Sequence, residues 1–82
     1  MAYADMGDWA NALGAFEQAL AERLARADES GAFIARWMVA WTLRNLGRAD
    51  EARAAQLALK AALAAVGQSD PYVDEELVLL GD

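Results

Sequence analysis

Met6-Gly7-Asp8-Trp9-Ala10-Asn11-Ala12 is echoed forty residues later by Leu46-Gly47-Arg48-Ala49-Asp50-Glu51-Ala52. In each copy an apolar residue precedes glycine, a polar residue follows it, and alanine stands five positions after the glycine. Glycine permits a tight turn with positive φ, and a small alanine lets the second helix lie close to the first. Self-similarity at this spacing indicates stacked supersecondary units, none of which buries its apolar face alone. The fold class that follows is all-α, with helix–turn–helix hairpins lying side by side.

The segments between the joints carry helical periodicity. After Gly7, with Asp8 as an N-cap carboxylate, apolar residues recur at Trp9, Ala12, Leu13, Phe16, Ala19, Leu20 and Leu24. One stripe of this kind predicts a helix to about Ala27, in which Gly14 is expected to allow a close helix approach. Asp28-Glu29-Ser30-Gly31 interrupts the pattern. A second helix, about Ala32 to Leu46, is apolar on most sides, which marks a central helix packed on more than one face. Gly47 ends it as a left-handed C-cap. A third helix, about Ala49 to Val66, carries its stripe at Ala52, Ala55, Leu59, Leu63 and Val66. Gly67-Gln68-Ser69-Asp70-Pro71 stops it, and Pro71 at a first helical turn opens a short final helix to about Leu80. That helix is expected to bury Val73, Leu77 and Leu80. The first six residues read as the last turns of a helix whose beginning is short or absent.

Gly7, Trp9, Ala12, Phe16 and Ala19 in the first copy, and Val39, Ala40, Leu43, Gly47 and Ala52 in the second, resemble the tetratricopeptide repeat. That family has a glycine-containing turn followed by alanine, a bulky aromatic and another alanine. The forty-residue spacing is similar to the longer-helix variant of kinesin light chains and many bacterial repeat proteins. The resemblance implies a right-handed superhelical stack of antiparallel hairpins with a short C-terminal capping helix. It implies one domain over residues 1–82, divided into a partial first repeat (1–29), a second repeat (30–66) and the cap (67–82). The sequence departs from the family's pattern at Arg36, where a large apolar residue is usual, and at Gln56, where an aromatic is usual. The proline that often ends a repeat is missing near Leu24, and the first repeat has almost no first helix.

Composition narrows the chemistry. Histidine and cysteine are absent, which removes the commonest bases, metal ligands and thiol nucleophiles. Ser30 and Ser69 fall in predicted turns with no base to activate them. The acidic pairs stand at helix ends, where capping and the helix dipole account for them. No phosphate-binding glycine loop is present. The expectation is a non-enzyme without cofactor or metal. Six arginines and one lysine are interleaved with thirteen carboxylates for a net charge of −6, a poor match to phosphate. Nucleic acid is therefore not expected as a partner. Nor is a membrane, because no run approaches the ~18 apolar residues of a spanning helix. The start, MAYADMGD, lacks the basic and long apolar regions of a signal peptide, so a cytoplasmic location is the default expectation.

What remains is binding. Trp37, Trp41 and Arg44 lie at i, i+4 and i+7 of the second helix and share a face. Tryptophan and arginine are enriched at binding hot spots. The tetratricopeptide resemblance places Ile34, Trp37, Trp41 and Arg44 on the positions that line the concave groove. It also puts Ile34 and Met38 where the family's carboxylate clamp would carry cations. An aromatic pair beside one cation suits a peptide with apolar anchors and an acidic group. Two alternatives stand beside this reading. The tryptophans fill the core of a small domain, or an open face around Trp9, Trp37 and Trp41 is closed by a second copy in a homodimer.

Overall fold

The computed structural model describes residues 7–81, and the expected helical turns of residues 1–6 lie outside them. Four helices make up the described chain, with no strand among the described residues: α1 (Trp9–Ala25), α2 (Glu29–Asn45), α3 (Ala49–Ala65) and α4 (Pro71–Leu79). Three-residue connections return α2 along α1 and α3 along α2, and a five-residue connection does the same for α4. Each helix packs against its sequence neighbours. The slab that results measures 35 × 33 × 17 Å.

The joints are more regular than the glycines alone suggest. Positive φ occurs at Gly7, Ala27, Gly47 and Gly67, one every twenty residues, and once more at Gly81 after the shorter last helix; each of the three helices between the first four spans 17 residues. The same bonds close α1, α2 and α3. The N–H groups of Asp28, Arg48 and Gln68 each donate to the carbonyl five residues back, at 2.9 Å. Ala27, Gly47 and Gly67 donate to the carbonyl three residues back, at 3.0–3.1 Å. These are Schellman closures, which satisfy carbonyls that the helix end would otherwise leave without donors. Ala27 adopts φ 55° in the place that glycine fills at the other two joints.

The second helix begins three residues earlier than its apolar run suggests. Asp28 caps it by accepting from the Gly31 N–H at 3.0 Å, so Asp28-Glu29-Ser30-Gly31 is a helix start rather than a break. Gly31 is buried in the first turn, and a Cβ there would run into the Asp28 carboxyl, with Cγ at 2.8 Å. Gly14 does not serve a close helix approach: it is exposed and has open space around it. Asp8 caps α1 through the Asn11 N–H, and Asp70 caps α4 through the Tyr72 N–H at 2.9 Å. Arg48 caps α3 without a side-chain bond and pairs with Glu51 instead.

Two apolar clusters hold the slab. Leu59 and Leu63 of α3 meet Val73 and Leu77 of α4, with Phe33 and Trp37 of α2 packed against them. Leu43, Ala52 and Leu80 form the second, with Leu13 and Val39 against it. Side chains from alternate helices thus meet across their neighbour. The predicted burial of Val73, Leu77 and Leu80 holds, whereas Leu24 and Val66 do not complete their stripes: both are exposed and line an open recess. Ala12, Phe16 and Ala52 are buried, Ala19 is half-buried, and Gly7 and Gly47 occupy the left-handed turns.

Gln56 is the anomaly in this interior. It has 0% exposure, one turn from Ala52 and one from Leu59, and neither amide heteroatom has a partner among the described residues.

Candidate functional site

The spacing that puts Trp37 and Trp41 one turn apart on α2 also stacks them, with ring centroids 5.9 Å apart and planes at 14°. Trp9, at the start of α1, sets its edge against Trp41 at 4.9 Å and 81°. Tyr72, in the first turn of α4, meets Trp37 at 6.4 Å and 70°. Four aromatic rings from three helices therefore form one continuous ladder, Trp9–Trp41–Trp37–Tyr72. Offset stacked and edge-to-face pairs are the favoured aromatic geometries, worth about 0.5–1.5 kcal/mol each beyond the area they bury.

The ladder is neither wholly core nor wholly surface. Trp9, Trp37 and Trp41 are all half-buried. Trp37 rests one side on the Leu59–Leu63–Val73–Leu77 cluster and lends the other to a cleft of about 280 Å³ between α2 and α4. Its indole N–H is buried without an acceptor among the described residues. Ile34, Asp70 and Tyr72 complete the cleft, and Ile34 and Tyr72 remain 63% and 66% exposed. Tyr72 and Asp70 escape a search of the second helix alone. The cue that could have found them is the aromatic beside Pro71, at the start of the last helix.

Arg44 shares the helix face with the tryptophans, but its charge is already engaged. Its Nε and one terminal NH2 donate to the two oxygens of Glu76 at 2.8 and 3.1 Å. Glu76 is buried and the Arg44 side chain is 28% exposed, so this is a half-buried bridge tying α2 to α4, and Glu76 is not simply a dipole charge at a helix end. A bidentate guanidinium–carboxylate pair is the strong, orienting form of this bond. It leaves the groove without the available cation that an acidic peptide group requires. Arg53 of α3 acts similarly on the last helix, donating to the Leu80 carbonyl at 3.0 Å.

A larger recess of about 560 Å³ lies between the turn after α1 and the end of α3. Alanine methyls of Ala27, Ala32, Ala62 and Ala65 form much of its wall and offer a ligand little to grip. Among the described residues there is no group of three or more Asp and Glu side chains placed to hold a metal ion. No helix of the described chain is long and apolar enough to cross a membrane. No protein-family model matches this sequence, and none of the curated proteins or solved structures is similar to it at a significant level, so the surface speaks through its own chemistry.

Proposed function

We propose that this chain is a non-catalytic binding module of tetratricopeptide type that holds a peptide segment of a partner protein along the α2–α4 face. The observation that carries the reading is the aromatic ladder beside a cleft. Large rigid rings are already ordered by one another, so a bound segment gains contact area at little entropic cost. Exposed Ile34 and Tyr72 flank the cleft as apolar lips. The repeat assignment is supported by the regular 17-residue helices and by the Schellman closures twenty residues apart. It is supported too by contact between alternate helices, through Arg44–Glu76 and Trp37–Tyr72. A solenoid of hairpins has this pattern of near neighbours.

Selection from a random peptide display library tests the reading. Peptides enriched on the protein should lose binding to an Ile34→Ser, Tyr72→Ser variant, whose substitutions lie on exposed side chains and leave the fold intact. Failure to enrich any peptide, or equal binding to that variant, would overturn it.

Self-association is the second reading, favoured by the outer face of α4, where Val78 and Leu79 are exposed. A second copy there would cover them, and sedimentation velocity would show a dimer that Leu79→Glu dissolves.

A further inference from the structure

The cleft between α2 and α4 has a charge preference, and it is the opposite of the one suggested by an arginine beside two tryptophans. Arg44 is bound on two atoms by Glu76. Lys60, the chain's single lysine, pairs with Asp74 at 3.1 Å. Arg36 lies away from the cleft, lining recesses shared with Leu20, Val39 and Ala58. The cleft lining thus contains no cation. It contains one carboxylate, Asp70, which is half-buried and spends Oδ1 on the Tyr72 N–H at 2.9 Å. Its other oxygen has no partner among the described residues. The positive end of α4 offsets part of that charge, while the whole chain carries −6.

We infer that the cleft accepts an arginine or lysine side chain of the partner peptide, with its stem along Ile34 and its charge against the open face of the Tyr72 ring, beside the Asp70 carboxylate. This deepens the peptide-binding reading and rests on it. Long basic side chains lay an apolar stem on apolar surface while the head stays polar, and a cation against an aromatic face is attracted by the ring quadrupole. A volume of about 280 Å³ falls just below the 300–1,000 Å³ usual for small-molecule sites and suits a single long side chain. An acidic residue placed there would meet the Asp70 carboxylate with no cation in the cleft lining to bridge the two.

Three blocked pentapeptides of alanine and leucine, with arginine, leucine or glutamate at the centre, provide the probe. Binding is read from the indole N–H signals of Trp37 and Trp41 in NMR titrations of the full chain. The arginine peptide should bind about ten-fold more tightly than the glutamate peptide. Asp70→Asn, which keeps a good N-cap, should shrink that gap to about two-fold while leaving the melting temperature unchanged. Should the variant melt early, salt decides on the native chain: between about 20 and 500 mM NaCl the gap must close as screening grows. Equal binding of the glutamate peptide, or a preference that neither Asp70→Asn nor salt reduces, overturns the basic-side-chain inference while leaving the peptide-binding reading in place. If none of the three peptides shifts either indole signal, both fall. Concentration-dependent dimerisation that Tyr72→Ser abolishes would make a second copy the occupant and also overturn the inference.

Discussion

Replacing Gln56 with methionine should make this protein markedly more stable. The side chain is fully buried, and both its Oε1 and Nε2 lack partners among the described residues. Leaving a buried donor or acceptor unmade costs about 1–3 kcal/mol per group, so the low end for two atoms gives about 2 kcal/mol released on their removal. Methionine matches glutamine in length, lacks its terminal fork, adapts to an irregular cavity and has no hydrogen bond to satisfy. For a domain of this size about 2 kcal/mol corresponds to a rise in Tm of about 8–16 °C. With an m-value of about 1 kcal/mol/M, the urea midpoint rises by about 2 M. Gln56→Glu keeps the shape and adds a charge, so it should melt well below the native chain. Thermal and urea unfolding followed by circular dichroism measure all three proteins. A lower Tm for Gln56→Met, or a Gln56→Glu protein as stable as the native chain, would show that the amide is hydrogen-bonded after all and refute the reasoning.

Other substitutions probe the turns and bridges by the same assay. Ala27→Gly should stabilise by about 0.5–1 kcal/mol, because glycine carries no Cβ penalty at φ 55°, and a fall in Tm would contradict the assigned strain. Gly47→Val should cost more than about 1 kcal/mol at φ 79°, and an unchanged Tm would remove the assigned turn. Arg44→Leu strands the buried Glu76 carboxylate and should cost about 3 kcal/mol. Glu76→Gln in that background should recover part of the loss, and no recovery would mean that the bridge does not orient α4.

Much of the helical layout was legible in the sequence because it rests on local signals. The cap at Asp8, the turn at Gly47 and the opening of the last helix at Pro71 each act within a few residues and appear where the pattern put them, and the three- and four-residue stripes do so except at Leu24 and Val66. The start of α2 was obscured because Gly31 looks like a breaker, whereas here it is the donor that Asp28 needs. Ala27 was invisible as a turn residue: its left-handed backbone is imposed by the helices on either side, not preferred by alanine. The candidate site was legible on α2 alone. Ile34, Trp37 and Trp41 stand at the cleft or in the ladder, but Tyr72 and Asp70 come from a helix some thirty-five residues further on. Glu76 claims Arg44 across thirty-two positions. Such pairings belong to tertiary geometry, and no periodicity encodes them.

Because every helix leans chiefly on the one before and the one after, loss of structure has a direction. The α3–α4 contact is the smallest of the three neighbour interfaces, and α4 is about half the length of the others. Amide protons of Val73–Leu77 should therefore exchange before those at the centres of α2 and α3, with α4 lifting away while the first hairpins stay folded. The wall that carries Tyr72 and Asp70 would leave with it. Anything seated between α2 and α4 would then work as a clasp, and its grip would be measured by how long the last helix stays down.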